Sequence, residues 1–496
     1  MNAYISLEHR FARLSALGDA SGILGWDQQT TMPLGAAGRR SEQLATLAVL
    51  SHEILIAPET ADLLDAAEQG ATGLKTWQQA NLREMRRTHA HATALPADLV
   101  EARSKAASRC EIAWRQARAD ADFAAIAPLL SEVLTLEREA GVAKGAALGL
   151  SPYDALLDGY DPGMRQARID PLFADLRAEF PELLAQVLAR QAAQGPALPL
   201  DGPFPADVQR AIGLRLMDVV GFDATRGRLD ISAHPFCGGA TDDVRITTRY
   251  DEADFSTALM GVLHESGHAL YEQGRPRDWL SQPVGSARGM TLHESQSLIM
   301  EMQACRSPAF VAYLAPILRE AFGRSGPAWE AANLARAYTH VEPGFIRVDA
   351  DEVTYPAHIL LRYGLETALI ASDMKVADIP AAWNDGMRQL LGLDVPNDRL
   401  GCLQDIHWFC GSFGYFPTYT LGAMAAAQLF AAARDAEPGL MEGIGHGDFA
   451  PMLRWLRINI HASGSLFSTD ELLSKATGSP LDAQAYRAHL RARYLG

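Results

Sequence analysis

From Ala3 to about Gln194 apolar residues recur at i, i+3, i+4 and i+7 almost without interruption. The spacing predicts helices over 36–50, 76–89, 98–119 and 122–141. Turn signals separate them at Met32-Pro33-Leu34-Gly35, Leu95-Pro96 and between Asp158 and Gly163. Residues 195–207 are rich in Pro and Gly and predict a surface loop. The period then changes. Leu229 to Ser232 and Asp243 to Thr248 alternate apolar and polar residues, the strand period, with Gly238-Gly239 between them. This predicts a small antiparallel sheet whose edge can pair with an extended peptide. Helical spacing returns at 255–274 and persists over 292–305, 308–322, 327–338, 350–372, 379–391, 421–434 and 452–462. The fold class is therefore mostly α with one small sheet.

The helix after the sheet carries the most specific chemistry. Asp251 or Asp254 can cap it, Phe255, Leu259, Val262 and Leu263 form an apolar stripe, and Gly274 with Pro276 is a stop. Within it, His264-Glu265-Ser266-Gly267-His268 reads H-E-x-x-H. Residues i and i+4 share a helix face, so both imidazoles can meet one metal ion, with Glu265 placed to act on water beside it. Gly267 costs about 1 kcal/mol relative to Ala in a helix interior, which suggests a close approach by another backbone or by the substrate.

Composition narrows the class. The 496 residues suffice for a large core, and 48% hydrophobic with 21% charged residues is ordinary for a globular chain. A net charge of −16 argues against a nucleic-acid-binding surface. Residues 1–40 contain acidic side chains and no long apolar run, unlike a signal peptide, and no stretch approaches the roughly 18 apolar residues of a membrane span. Cys110, Cys237, Cys305, Cys402 and Cys410 are scattered, without a Cys-x-x-Cys pair. Free thiols in a reducing cytoplasm are the expected state.

A site of two helical histidines commonly takes a glutamate from a following helix, leaving a fourth position for water. Glu294, in Leu292-His293-Glu294-Ser295-Gln296, is the best candidate, with His293 as a competing ligand or a supporting partner. Half of the 14 histidines, including His234, His340, His358 and His407, fall between 234 and 407. Two arginines compete for a substrate carboxylate, which Arg grips bidentately: Arg245 and Arg347. The plainer expectation for each is an ion pair, with Asp243 for the first and Asp351 or Glu352 for the second.

Six motifs in order resemble the carboxypeptidase Taq family, the M32 metallocarboxypeptidases: His234-Pro235-Phe236; Asp243-Val244-Arg245-Ile246-Thr247; His264-Glu265-Ser266-Gly267-His268; His293-Glu294-Ser295-Gln296; Ile346-Arg347 with Ala350-Asp351-Glu352; and Gly401-Cys402-Leu403-Gln404-Asp405-Ile406-His407-Trp408. Trp26-Asp27-Gln28 and Met32-Pro33 add to them. The resemblance implies a helical zincin-like fold, similar to neurolysin and angiotensin-converting enzyme, with a deep groove and the sheet beside the metal helix. It implies one domain over 1–496, with 1–195 as groove wall and 206–496 carrying the metal and substrate sites. It also implies a homodimer that removes single C-terminal residues from peptides with broad specificity, using Zn2+ that Co2+ can replace. His264, His268 and Glu294 would be the metal ligands and Glu265 the general acid/base. Arg347 and Arg245 would bind the substrate carboxylate, with His234 lining the site and His407 or Tyr419 stabilising the oxyanion. The rival readings are an oligopeptidase or dipeptidyl carboxypeptidase on the same site, and a helical binding protein with a closed structural zinc or none.

Overall fold

The computed structural model describes residues 2–496. The predicted helices are present, and several run longer than their apolar spacing required: Ala37–Ile56, Thr76–Thr93, Ala97–Asp120 and Phe123–Leu148. Pro308–Phe322 and Ile379–Leu391 fall where the spacing put them. The helix expected from residue 350 begins at Tyr355–Ala371, after a short 3-10 turn at Arg347–Asp349. Two C-terminal helices that the spacing did not single out, Thr469–Thr477 and Gln484–Leu495, pack on the helix Pro417–Ala436.

The sheet has three strands, not two: β1 (Gly227–Ile231), β2 (Cys237–Ala240) and β3 (Asp243–Thr248), in the order β1-β3-β2. It is mixed. β1 runs parallel to β3 and only β2 is antiparallel to it, so Gly238-Gly239 lies inside a strand instead of a turn. The glycines there answer a packing need. The N-terminal helix Ala3–Thr30 crosses β2 so closely that a Cβ on Gly22 would lie 2.1 Å from the Gly239 carbonyl. The far edge of β2 is therefore covered by that helix.

The main core links residues from Ala106 to Tyr494, and a smaller one joins Tyr4, Leu7, Phe11, Leu64, Leu82 and Met85. A third small core seats the sheet on the metal helix, Phe255–Gly274, through Leu229, Val244, Ile246, Val262 and Ala269. Asp254 caps that helix by accepting from the amides of Ser256 and Thr257. Phe255, Leu259, Leu263 and Leu270 face the main core. Burial of each such side chain is worth roughly 1.5–3 kcal/mol. Several together outweigh the propensity cost of Gly267, whose missing side chain is needed: a Cβ there would sit 2.3 Å from the Gln296 carbonyl oxygen.

Candidate metal centre and carboxylate cradle

Gly267 lets the metal helix lie directly against Gly289–Leu298, the helix that bears Glu294. Gly422, on Pro417–Ala436, does the same from the other side, for a Cβ there would lie 2.8 Å from both Cβ and Cγ of Glu294. Held between two glycines, Glu294 meets His264 and His268. One ligand atom from each of the three lies within 4.8 Å of the others.

The imidazoles are oriented by their second nitrogens. His264 Nδ1 is 2.9 Å from Glu301 Oε2, and Glu301 in turn accepts from Arg306 Nη2 at 2.7 Å. His268 Nδ1 is 3.0 Å from the His293 carbonyl oxygen. Acceptors at both Nδ1 atoms fix the proton there and leave each Nε2 lone pair for a metal. His268 Nε2 lies 3.5 Å from Glu294 Oε2. His293 is thus a supporting residue, its Nε2 held at 3.0 Å by Glu272 Oε1. Two neutral imidazole nitrogens and one carboxylate make a donor set that suits a divalent ion of borderline softness, and the buried His268 has no other use for its lone pair.

Electrostatics agree with that reading. Burial opposes charge on His264, yet Glu301, Glu294 and Glu265 push its pKa up to about 10 in the metal-free chain. An ion arriving here therefore displaces a proton. Burial, with His293 and His264 beside it, holds His268 well below the usual histidine range. Burial pushes the Glu265 carboxyl up to about 7, and the side chain is only 7% exposed.

Arg347 does not pair with Asp351 or Glu352 as its neighbours in sequence suggested. Asp351 caps the turn at Val353 and Thr354, and Glu352 is held by His489, Arg493 and Tyr494. Arg347 instead donates through Nε and Nη2 to Asp405 Oδ1, at 3.1 and 2.8 Å, and through Nη1 to Tyr355 Oη at 2.7 Å. Arg362, fully buried, donates to Asp405 Oδ2 at 2.7 Å. Burial alone would raise the Asp405 pKa, but Arg362 and Arg347 hold it far below the carboxylate range. Two guanidiniums share one carboxylate, so the cradle carries a net positive charge. It stands close enough to Glu294 for Arg347 to lower that carboxyl's pKa, against a larger upward push from burial. The guanidinium carbon of Arg347 lies 5.0 Å from the Tyr419 ring centre.

Tyr419 Oη is 3.4 Å from His407 Nε2, and burial keeps the His407 imidazole neutral with a pKa of about 4. Tyr415 and Phe416 complete this aromatic wall. Arg245 is engaged elsewhere: it pairs with Asp243 at 2.8 and 2.6 Å and stacks over Trp26 at 4.5 Å. Among the described residues no hydrogen bond or ion pair joins it to the histidine–glutamate cluster. The His234 ring is exposed and has no hydrogen-bond partner among the described residues, while its carbonyl accepts from Ser232.

Sequence reasoning did not name Glu301, Glu272, Arg362 or Tyr355, and it named Asp405 only within a motif, without a role. Spacing held a signal for two of them. Glu301 is seven residues from Glu294, two turns along the same face, and Glu272 is four from His268. A π-helical stretch at Ile299–Cys305 carries Glu301, and such stretches concentrate at functional sites.

A mostly helical chain with two helical histidines, a glutamate from the next helix and a buried carboxylate beside them defines a metallopeptidase. The chain belongs to the carboxypeptidase Taq (M32) metallopeptidase family, whose profile matches residues 6–494. It is 38% identical to thermostable carboxypeptidase 1 of Thermus thermophilus, over 99% of this chain and 97% of that one. It is 31% identical to carboxypeptidase 1 of Bacillus subtilis, over 97% and 96%. Its structure resembles metallocarboxypeptidase 1 of Trypanosoma cruzi with a TM-score of 0.98 at 43% identity, covering 100% of this chain and 99% of that one. It resembles the M32 carboxypeptidase of Deinococcus radiodurans R1 with a TM-score of 0.94 at 35% identity, covering 100% and 99%. The protein is a peptide hydrolase, and its family implies a divalent metal cofactor.

Proposed function

We propose that the protein is a zinc-dependent carboxypeptidase that removes one C-terminal residue at a time from peptides of varied sequence. The observation that carries this reading is the net positive cradle of Arg347 and Arg362 around Asp405, set beside the Glu294 end of the metal centre. Such a cradle favours an anion, and the free C-terminus is the anion every peptide substrate has in common.

His264, His268 and Glu294 would hold the ion. Bound there, a divalent ion supplies a Lewis acid that polarises the scissile carbonyl and acidifies water. Glu265 takes the proton of the attacking water and delivers it to the leaving amine. Its burial raises its basicity toward the range a general base needs at neutral pH. Arg347 receives the terminal carboxylate, with Tyr355 free to donate its own proton because its oxygen already accepts from Arg347. Tyr419, beside a neutral His407, donates to the developing oxyanion. Tyr415 and Tyr419, partly exposed with the buried Phe416 behind them, present ring area without charge, which suits varied side chains. Co2+ suits the same donor set as Zn2+. We read the enzyme as a homodimer and place it in the cytoplasm, where its five unpaired cysteines would stay reduced.

The test is digestion of one peptide pool with free and amidated C-termini, read by mass spectrometry alongside metal analysis. Single-residue shortening of the free peptides alone supports the reading. Cleavage of amidated peptides, or release of dipeptides, would replace it with an oligopeptidase or a dipeptidyl carboxypeptidase.

A further inference from the structure

The C-terminal end of the π-helical stretch borders a cavity of about 920 Å³. Its walls come from the ends of Gln166–Gln194, Ala331–Tyr338, Pro417–Ala436 and Gln484–Leu495, and from Gln303 to Pro308. Five arginines line it, Arg190, Arg306, Arg336, Arg434 and Arg493, with His489 beside them; Arg190 is engaged, donating to the Gly496 main-chain oxygen that also lines the cavity. No aspartate or glutamate lines it, although the chain as a whole has a net charge of −16.

Two kinds of cation can be told apart. Arg306 and Arg493 form the floor and are fixed from behind, Arg306 by Glu301 at 2.7 Å and Arg493 by Glu352 at 3.0 Å. Arg336 and Arg434 stand exposed at the rim, and neither has a carboxylate partner among the described residues. Arg336 makes one long hydrogen bond to Asn333, and Arg434 lies over the Phe430 ring. A concave site with uncompensated guanidiniums at its mouth, cationic donors on its floor and an apolar flank attracts a small multivalent oxyanion with an organic body.

The floor leads to the metal centre. Arg306 donates to Glu301 Oε1, and Glu301 Oε2 faces His264 Nδ1. Arg493 also donates to the carbonyls of Met302 and Gln303, within the same π-helical stretch. An anion that draws Arg306 toward the cavity weakens its hold on Glu301 and leaves Glu301 more strongly bonded to His264. We propose that this cavity binds a small multivalent oxyanion, phosphorylated or polycarboxylate, and that its occupancy is felt at the metal centre through Arg306, Glu301 and His264. The inference rests on the metal-centre reading only for the second half.

Binding is measured on the metal-free full chain by calorimetry, with fructose 1,6-bisphosphate as the phosphate probe and tricarballylate as the carboxylate probe, against sodium chloride at matched ionic strength. Saturable binding of one molecule per chain is expected, and which probe binds identifies the group. In the double variant R336A/R434A binding weakens about tenfold or more, because two charged hydrogen-bond donors to the anion are lost. Both residues are exposed, so the variant keeps the wild-type melting temperature and basal peptidase activity. Heats no different from sodium chloride, or equal binding by the double variant, would overturn the site. Cobalt affinity, followed by its visible absorption, is then compared with and without the bound probe. A severalfold change in the wild type, lost in R306K, is expected; an unchanged cobalt affinity would overturn the coupling.

Discussion

Glu301 Oε2 lies 2.9 Å from His264 Nδ1 while its other oxygen accepts from Arg306. One buried carboxylate therefore orients a metal ligand and is itself held by a cation. Burial would raise the Glu301 pKa, yet Arg306 and His264 keep it below the ordinary value, so it stays charged and a strong acceptor. Partners of this kind typically change metal affinity by about 10- to 100-fold. Glu301→Gln, which keeps an acceptor but not the charge, is expected to weaken metal binding toward that range and to regain most of its turnover at saturating metal. Competition with a chelator measures the first and a metal titration of activity the second.

Glu265 has a different signature. Glu265→Gln preserves size and leaves all three ligands in place, so metal content is expected to stay at the wild-type level. Turnover is expected to fall by at least the roughly 10²- to 10⁴-fold that a positioned acid/base contributes. Metal analysis and kcat on the same preparation distinguish this from Glu301→Gln. Near-normal kcat would remove Glu265 from the mechanism.

Arg347 separates recognition from chemistry. Arg347→Ala loses the donor to a terminal carboxylate and leaves Asp405 to Arg362 alone. The expected loss is in kcat/KM for peptides with a free C-terminus, about 10²-fold or more for a buried charge-assisted pair. Metal content is expected to stay unchanged. An equal loss on free and amidated peptides would point to a collapsed site, and no loss on free peptides would assign the carboxylate to another group.

How far these roles were legible differs from residue to residue. His264, Glu265 and His268 could be read because helical geometry turns a spacing of four into a shared face. Glu294 lay on the next predicted helix, and the motif order tied it to the pair. The partner of Arg347 could not be read. Asp405 is 58 residues away, and local spacing instead favoured Asp351 and Glu352, which the fold uses for a turn and for the C-terminal helix. The alternation in β1 and β3 marked strands, but alternation is the same in parallel and antiparallel pairs. Only the chain path, with β2 placed at the edge by Gly238-Gly239, decides the direction. Gly267 was a visible anomaly whose reason appears in the approach of Gln296, whereas Gly422 on a predicted helix carried no such signal.

Those two glycines make a paired prediction. A methyl group on Gly422 would meet the Glu294 side chain at 2.8 Å, and one on Gly267 would meet the Gln296 backbone at 2.3 Å. A side chain can turn aside, and a helix backbone cannot without moving its neighbours. Gly422→Ala is therefore expected to cost metal affinity with a modest loss of stability. Gly267→Ala is expected to destabilise the fold by about 1–3 kcal/mol or more, as overpacking does, despite the better helix propensity of Ala. Denaturant unfolding of both variants, with metal content measured beside it, tests the order.

The last prediction concerns acid stability and Glu352. This buried carboxylate accepts from Arg493 and Tyr494, both on the helix Gln484–Leu495, and lies 2.7 Å from His489 on the same helix. Burial alone would raise its pKa, but His489 and Arg493 hold it well below the ordinary 4.5. The folded chain thus binds this proton less readily than the unfolded chain. The stability it contributes is complete above about pH 4.5, declines as pH falls below that value, and is gone only once pH has passed through the lower folded pKa. Glu352→Gln removes the charge at every pH and strands Arg493. Breaking a buried pair by removing one partner costs about 3–5 kcal/mol, so a loss of that order is expected at pH 7. The gap between wild type and variant should narrow steadily from pH 5 to pH 3, as protonation does to the wild type what the substitution did to the variant. Urea unfolding at several pH values measures it. A gap that stays constant or widens toward acid would show that another carboxylate, not Glu352, sets the acid limb.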